Sequence, residues 1–327
     1  MKKILIIQTA FLGDVVLATA LVEKLRKAFP EAAIDFLLRR GNEGLLTAHP
    51  YLRRVLIFDK RKKWRSLASL IRAIRGERYD LVVNAQRFLS SGLLAAASGA
   101  GEVVGFAKNP LSGLFHRRVP HVIGGDAPRH EVQRNQALIA HLTDAEPERP
   151  RLYPPKAAYA KVPAGKAYIC IAPTSVWHTK QWPAARWVAL LDALPAEQEV
   201  HLLGGPADRP ACAAIQRRSR HPRILNRAGE LSLLESAALM QHAHMNYAND
   251  SAPVHLASAT DAPVTAVFCS TVPAFGFGPL SSRSRVVETN HALACRPCGL
   301  HGYQACPEGH FRCADIPIQK VLDVKGP

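Results

Sequence analysis

Three phosphate-binding patterns are missing from this 327-residue sequence. There is no G-x-G-x-x-G motif and no G-x-x-x-x-G-K-[ST] motif, which argues against a standard dinucleotide site and against a P-loop. D-x-D is absent as well. An enzyme that binds a diphosphate without this carboxylate pair would have to neutralise it with cationic side chains and helix N-termini instead of a metal ion.

Apolar runs long enough to cross a membrane are also missing. The nearest is IIQTAFLGDVVLATALV at residues 6–22, which follows Lys2-Lys3 and contains Ala18-Thr19-Ala20, and so imitates a secretory signal peptide. Asp14 lies near its middle, where a carboxylate costs roughly 2.5–3.5 kcal/mol on insertion scales. We therefore expect a soluble protein without a cleaved leader.

Acidic residues are scarce, with 26 Asp and Glu against 42 Lys and Arg, a formal charge of +16. Half of this excess lies in residues 53–78, where ten basic residues accompany Asp59 and Glu77. The segment is either a solvated face or a surface for an anionic partner, such as nucleic acid, an anionic membrane leaflet or a phosphorylated substrate. Aromatic residues do not alternate with the basic ones, which disfavours single-stranded nucleic acid.

Strand-like and helix-like segments alternate along the chain, the pattern of a parallel sheet covered by helices. A Pro-rich linker at 151–164 divides a predicted N-terminal domain at 1–150 from a C-terminal domain at 165–327. The predicted strands are 3–7, 33–38, 55–58, 81–84, 103–106, 168–172, 199–203, 244–247 and 264–268. The predicted helices are 14–29, 42–49, 64–75, 90–98, 131–142, 183–194, 209–220, 233–242 and 253–259. Two such domains predict a ligand cleft between them.

The loop after the first predicted strand carries Gly13 and Asp14. In open α/β sheets, ligands bind outside the carboxyl ends of the strands, which is where this loop lies. Asp14 is therefore either a catalytic carboxylate or merely the N-cap of the following helix, and spacing leaves both readings open.

Two loops of the second domain carry residues suited to an anion. After the strand at 168–172 come the hydroxyls of Thr174 and Ser175 and the cation of Lys180. After the strand at 244–247, Asp250 and Ser251 precede a helix whose free N–H groups can bind an anion. Taken singly, Lys180 could be a surface lysine, Asp250 a cap and the nearby His255 a core histidine. Their joint placement at strand ends favours a binding site.

Four late cysteines form a separate cluster in the sequence. Cys295 and Cys298 have the C-x2-C spacing of zinc ligands, whereas Cys306 and Cys313 are wider apart than usual, so that His301 or His310 could substitute. A structural zinc site, free thiols and redox-labile disulfides all remain open.

Six motifs taken together identify a family. They are IIQTAFLGDVVLATALVEKLRKAFP, HEVQRNQAL, APTSVWHTKQWP, HLLGGPADRP, NDSAPVHLASATDAPVTAVFCSTVPAFGFGP and CRPC, and they follow one another from Lys2 to about Cys313. In this order they resemble the ADP-heptose:lipopolysaccharide heptosyltransferases, glycosyltransferase family 9, and most closely the heptosyltransferase II branch.

The resemblance implies a GT-B type α/β fold, with two Rossmann-like domains whose parallel sheets face a central cleft. It implies an inverting transferase that needs no metal cofactor for catalysis, although a structural zinc is compatible with it. The N-terminal domain would hold the lipopolysaccharide inner-core acceptor, lipid A–Kdo with or without a first heptose, and the C-terminal domain would hold ADP-heptose.

The resemblance also assigns residues. Asp14 matches the family's catalytic aspartate, and Lys180 its phosphate-binding lysine. The Asp-[ST]-Gly-x-x-His donor motif falls on Asp250, Ser251, Ala252 and His255, with Ala252 where glycine is usual, while Thr174 and Ser175 match upstream hydroxyls of the donor site. On the acceptor side we expect Gly13 together with the basic residues Arg61, Lys62 and Lys63.

A lipid acceptor on the inner leaflet explains the basic segment, because it carries several negative charges. We therefore expect a cytoplasmic protein held peripherally on the inner face of the cytoplasmic membrane, with no specific nucleic-acid partner. Two alternatives remain. One is a GT-B transferase that uses a UDP-sugar, which Ala252 keeps open; the other is a basic nucleic-acid-binding protein with a zinc tail, which leaves the Asp14, Lys180 and Asp250 loops unexplained.

Overall fold

The computed structural model describes residues 1–165 and 167–322, and its contacts divide the chain between Tyr153 and Pro154. This division falls inside the predicted Pro-rich linker. Part of that linker, Lys156–Lys161, is a 3₁₀ helix within the second unit rather than extended chain. The predicted C-terminal domain includes Lys166 and residues 323–327, which lie outside the described residues.

The first unit is a six-stranded parallel sheet in the order β3-β2-β1-β4-β5-β6. Its strands are β1 Lys3–Ile7, β2 Ala33–Arg39, β3 Leu52–Phe58, β4 Leu81–Asn84, β5 Glu102–Phe106 and β6 Arg117–Val119. Its helices are α1 Leu12–Ala28, α2 Lys63–Glu77, α3 Leu89–Ala96 and α4 Glu131–Gln136.

The second unit repeats this plan, with a parallel sheet in the order β9-β8-β7-β10-β11-β12. Its strands are β7 Tyr168–Ala172, β8 Glu199–Leu202, β9 Ile224–Asn226, β10 Met245–Asn249, β11 Val264–Phe268 and β12 Ser284–Glu288. Its helices are α5 Ala184–Asp192, α6 Arg209–Arg218, α7 Leu233–His242, α8 Ala252–Ala259 and α9 Ile318–Leu322. Each sheet therefore has the Rossmann strand order 3-2-1-4-5-6, which confirms the predicted α/β fold class of two Rossmann-like domains.

Burial explains why the central strands are so apolar. Ile4 to Ile7 of β1 are completely buried, since helices cover both faces of a parallel sheet. Helix α2 is amphipathic instead, burying Leu67, Leu70 and Ile74 while its basic residues face solvent. In the core of the second unit, the rings of Trp182 and Trp187 meet edge to face with centroids 5.0 Å apart.

The strand order also places the ligand crevice of each unit. Successive strands are added to one side of the first strand and then, from the fourth strand on, to its other side, so the crevice lies beyond the carboxyl ends of β1 and β4 in one unit and of β7 and β10 in the other. The loops that begin at Gln8, Ala85, Pro173 and Asp250 occupy these positions.

Several predicted elements were wrong. The predicted helix at 42–49 is only a 3₁₀ turn, Glu43–Leu45, and the predicted helix at 131–142 ends at Gln136 and continues as a 3₁₀ turn. The edge strands β6, β9 and β12 and the short helix α9 were not predicted. Within the described residues, no helix is long and apolar enough to span a bilayer.

Candidate active site

Asp14 lies in the first turn of α1, which follows β1 after the short loop that begins at Gln8. The N-cap residue of α1 is Phe11, so the reading of Asp14 as the N-cap is wrong. Asp14 is the third helical residue, and its Oδ2 accepts a hydrogen bond from the Phe11 backbone N–H at 3.2 Å. Its carboxylate thus supports the helix start while Gly13, one residue earlier, belongs to the same turn.

The surroundings of Asp14 favour its protonated form. Burial and the negative charge of Glu131 raise the pKa of Asp14 to about 6, against the lowering effects of backbone N–H groups and Arg87. The residue is nevertheless only half-buried, so that the carboxyl group stays within reach of a ligand. A carboxylate with this pKa is a stronger base than an ordinary aspartate and is still mostly ionised at pH 7.

Glu131, the first residue of α4, is a site residue that sequence reasoning missed, although it belongs to the quoted HEVQRNQAL motif. Its buried carboxylate contacts His121 Nε2 at 3.1 Å and Arg134 Nε at 2.7 Å. Burial alone would raise the pKa of Glu131, but the hydrogen bonds and charges of His121 and Arg134 outweigh it and keep this pKa below its usual value. Glu131 therefore stays ionised beside Asp14.

Buried amide side chains hold together the loops around Asp14. Gln8 Nε2 donates to the Ala85 carbonyl at 2.7 Å, and Gln86 Nε2 donates to Gln8 Oε1 at 3.0 Å. Asn109 Nδ2 donates to the Gln86 carbonyl at 3.1 Å. These bonds tie the loops after β1, β4 and β5 to one another, and because the three side chains are buried, they hold the backbone of these loops in place.

The basic segment at 53–78 is divided by the structure. Arg53 and Arg54 both pair with Asp35, whose side chain is completely buried, and with Glu77, so they are not a free cationic surface. Arg61, Lys62 and Lys63 are exposed in the turn between β3 and α2. The structure thus removes Arg53 and Arg54 from the predicted cationic face, and the acceptor-side assignment of Gly13, Arg61, Lys62 and Lys63 stays a prediction.

Exposed aromatic rings accompany cations along the same edge of the first sheet. Trp64 is 71% exposed with Lys63 Nζ 5.0 Å from its ring centroid, and Phe11 lies beneath the guanidinium of Arg39, also at 5.0 Å. Phe88, after β4, is exposed beside Arg87. Since the carboxyl ends of parallel strands meet at one edge, these pairs share the edge that carries Asp14.

In the second unit, the predicted donor residues Lys180 and Asp250 are in contact. Lys180 Nζ lies 2.7 Å from Asp250 Oδ2, and the Thr271 hydroxyl donates to the same oxygen at 2.5 Å. Lys180 ends a 3₁₀ turn after β7, while buried Asp250 directly follows β10. Sequence reasoning placed Lys180 and Asp250 correctly at strand ends but missed Thr271, which follows β11.

Asn249 joins the two loops that carry this ion pair. Its Oδ1 accepts from the Trp182 backbone N–H at 2.8 Å, and its Nδ2 donates to the Pro173 carbonyl, also at 2.8 Å. The side chain is completely buried. It therefore fixes the spacing between the loops after β7 and β10.

The remaining predicted donor residues lie in the loop after β7 and at the start of or within α8. Ser251 is the N-cap of α8, although its hydroxyl donates to the Asn249 carbonyl at 3.2 Å rather than accepting a helix N–H. Ala252 is the first residue of α8 and has the helical backbone that any L residue adopts, so no glycine is required there on conformational grounds. His255 is buried within α8, and Thr174 and Ser175 are half-buried in the loop after β7.

The family model "Glycosyltransferase family 9 (heptosyltransferase)" matches residues 67–301, well over half of the chain. The chain belongs to glycosyltransferase family 9 (heptosyltransferase). The predicted family and the prediction of a glycosyltransferase enzyme are thus confirmed.

Relatives of this glycosyltransferase cover most of its length. It is 28% identical to lipopolysaccharide heptosyltransferase 1 of Pseudomonas aeruginosa, over 90% of this chain and 86% of that protein. It is 25% identical to lipopolysaccharide heptosyltransferase 2 of Escherichia coli, over 98% and 97%. The solved structure of E. coli ADP-heptose LPS heptosyltransferase II superposes with a TM-score of 0.80 at 22% identity, covering 99% of this chain and 97% of that one, which shows the shared fold.

The four late cysteines of this family 9 enzyme line one cavity of about 160 Å³, together with His310. Cys298 and Cys313 are buried, and Cys295 Sγ lies 3.9 Å from His310 Nε2. In the part of the chain that the structure describes, no three His, Cys, Asp or Glu side chains stand close enough together to hold a metal ion. The four thiols therefore line the same cavity but do not have the spacing of metal ligands, and the zinc site stays a prediction.

Proposed function

We propose that this glycosyltransferase moves L-glycero-D-manno-heptose from ADP-heptose to the inner core of lipopolysaccharide, with inversion and without a catalytic metal. Its curated relatives are lipopolysaccharide heptosyltransferases. The observation that carries the proposal is the position and pKa of Asp14, a carboxylate at the crevice of its sheet whose pKa is raised to about 6.

In the proposed reaction, an acceptor hydroxyl attacks C1 of the donor heptose from the face opposite the diphosphate. The new C1–O bond forms as the bond from C1 to the phosphate oxygen breaks, and ADP leaves with the electron pair. The hydroxyl proton goes to Asp14. Because the hydroxyl becomes acidic only as the new bond forms, Asp14 accepts the proton late, and such general-base help is typically worth about 10²- to 10⁴-fold.

The donor diphosphate is proposed to bind beside Lys180 and Asp250. Lys180 would supply a cation for the departing ADP, and the N-terminus of α8 would supply the backbone N–H groups of Ser251 and Ala252, since Pro253 has no N–H and the Val254 N–H is bonded to the Ser251 carbonyl. Thr174, Ser175 and His255 complete the proposed donor pocket. These groups would replace the metal ion that a D-x-D enzyme uses.

The acceptor is proposed to approach the edge of the first unit that carries Asp14. Exposed Arg61, Lys62 and Lys63 suit the phosphates of an anionic glycolipid, and each cation near an anionic membrane surface contributes about 1 kcal/mol. The exposed rings of Phe11, Trp64 and Phe88 suit the headgroup region of a bilayer. We therefore place the protein in the cytoplasm, peripherally on the inner face of the cytoplasmic membrane.

Membrane contact can be tested with liposomes. Co-sedimentation with vesicles that contain anionic lipid should weaken when Lys60, Arg61, Lys62 and Lys63 are neutralised together. Replacing Arg53 and Arg54, which are bound to Asp35, should leave sedimentation of the folded fraction unchanged. Unaltered sedimentation of the fourfold variant would contradict the membrane assignment.

The reaction is tested by incubating the purified protein with ADP-heptose and either heptose-deficient or singly heptosylated lipopolysaccharide, measuring ADP release and acceptor mass. We expect one heptose increment for the wild type and for Asp80→Asn, an exposed control carboxylate, but not for Asp14→Asn. No transfer to either acceptor by folded protein would refute the proposal. Selective binding of UDP over ADP would then favour the UDP-sugar alternative.

A further inference from the structure

The segment between the first cysteine pair reaches into the ends of the second sheet. Arg296 Nε donates to the Cys269 carbonyl at 2.7 Å, and Arg296 Nη2 donates to the Thr271 carbonyl at 2.6 Å. The same guanidinium pairs with Glu288. A planar group with several fixed donors thus holds the loop that follows β11 in one conformation.

This loop in turn holds the carboxylate of the ion pair. The Thr271 hydroxyl and Lys180 Nζ both bind Asp250 Oδ2, at 2.5 and 2.7 Å. Because Asp250 is buried, the direction of its carboxylate depends on these partners rather than on water. The position of Lys180 therefore depends on Thr271, and through it on Arg296.

A second set of contacts reaches Lys180 from the same segment. The Tyr303 backbone N–H donates to the Thr179 hydroxyl at 2.8 Å, and the Thr179 N–H donates to the Tyr303 carbonyl at 3.0 Å. Gly302 has φ of +78°, and a Cβ there would lie 2.9 Å from Thr179 Oγ1 and 3.0 Å from Lys180 Cγ. Glycine is required here both for the backbone conformation and for the close approach to the lysine stem.

We propose that residues 296–303 form a positioning wall of the donor site, which orients Asp250 through Arg296 and Thr271 and orients Lys180 through Gly302 and Tyr303. This inference rests on the proposed function, in which Lys180 and Asp250 meet the donor diphosphate. It gives the segment that joins the late cysteines a role in binding, since a lysine with four rotatable bonds binds a diphosphate better when its stem is already held.

Two variants test the two arms of the wall. Thr271→Val removes the hydroxyl and keeps the shape of the side chain, and Thr271→Ser restores the hydroxyl. Its control is Thr265→Val, another buried threonine, whose hydroxyl contacts the Met245 sulfur at 3.9 Å. Gly302→Ala adds the crowding methyl group, and its control is Gly309→Ala, where φ is also positive, at +70°, but nothing lies within 4 Å of an added Cβ.

The first readout is the dissociation constant for ADP. A hydrogen bond to a charged group is strong enough that its loss should weaken ADP binding about tenfold in Thr271→Val, with a similar loss in Gly302→Ala. Thr271→Ser should bind like the wild type, and so should both controls. Full-strength ADP binding by both Thr271→Val and Gly302→Ala would overturn the proposal.

The second readout does not depend on the identity of the donor. The rate at which an acylating reagent modifies the Lys180 amine, read by mass spectrometry, should rise in Thr271→Val and in Gly302→Ala because the amine is no longer held against Asp250. A raised rate in a protein that does not bind ADP would support the wall and refute the ADP-sugar assignment. Acylation rates of Thr271→Val and Gly302→Ala equal to those of the controls would refute the wall, even if the wild-type protein binds ADP.

Discussion

Replacing Asp14 by asparagine is expected to abolish transfer and yet to make the folded protein more stable at neutral pH. The reason lies in the raised pKa of this carboxyl group. In the unfolded chain Asp14 ionises near its ordinary pKa of 3.8, whereas the folded protein holds its proton up to about pH 6. Ionisation of Asp14 therefore lowers the free energy of unfolding above pH 3.8. This loss of stability reaches its full size above about pH 6 and disappears below pH 3.8.

The size of this effect follows from the two pKa values. The rise from 3.8 to about 6 corresponds to about 3 kcal/mol of lost stability at pH 7, at about 1.4 kcal/mol for each pH unit. At pH 5 the folded carboxyl is mostly protonated, and the loss of stability is about half as large by the same linkage relation. The stability gained by Asp14→Asn should thus be roughly 1 kcal/mol greater at pH 7 than at pH 5.

Urea unfolding of the full chain, followed by circular dichroism at both pH values, measures this difference. The stability difference between Asp14→Asn and the wild type is measured at each pH, and the two differences are then compared. This comparison cancels the packing cost of the asparagine and the change in its hydrogen bond to Phe11, because both are the same at the two pH values. Asp80→Asn is the control. Hydrogen bonds from the backbone N–H groups of Lys3 and Lys2 lower the pKa of Asp80, so its ionisation is complete at pH 5 and at pH 7 in both states. An Asp14→Asn difference that does not change with pH, or one of opposite sign, would refute the reasoning.

Three further predictions concern the pH profile, the arginine network and the cysteines. Below about pH 6, kcat/KM should fall about tenfold for each pH unit as Asp14 takes up its proton, and a flat profile in the ADP-release assay would contradict a general base with this pKa. Asp35→Ala should lower the free energy of unfolding by about 2 kcal/mol, because the buried Tyr79 hydroxyl loses its acceptor while Arg53 and Arg54 keep Glu77 as a partner; urea unfolding at pH 7 measures this, and a loss below about 1 kcal/mol would contradict it. If the late cysteines bind structural zinc, elemental analysis should find about one zinc per chain in the wild type and none in Cys298→Ser, and a folded, zinc-free wild type would end that prediction.

The sequence predicted the central strands well and the edge strands poorly. The bounds predicted for β1, β4, β7 and β11 match the structure, because a strand covered on both faces is a short continuous apolar run. β6, with the sequence Arg-Arg-Val, is an exposed edge strand whose pairing depends on β5 rather than on its own side chains. Similarly, a helix was predicted at residues 42–49, but Leu45 and Leu46 are already buried when the chain forms a single 3₁₀ turn. Gly44 and Pro50 disfavour a longer helix there.

The candidate site divides in the same way. Asp14, Lys180 and Asp250 could be found from the sequence, since each is a polar residue that closely follows a recognisable strand or its loop. Glu131 and Thr271 could not be assigned a role, because they act through neighbours that lie far away along the chain. The basic segment shows the converse error: its sequence suggested one cationic face, whereas Asp35 and Glu77 neutralise Arg53 and Arg54.

The sequence by itself determined two Rossmann-like α/β units, the family, and the strand ends at which chemistry is placed, because apolar runs and the polar residues that follow them are local features. The tertiary structure alone decided the properties of those residues. The pKa of Asp14 is set by desolvation and by the charge of Glu131, which is 117 positions away in the chain and is brought close by α4. The orientation of Lys180 depends likewise on Asp250, Thr271 and Gly302, and only the packing of the second sheet and of the cysteine segment brings these residues into contact with it.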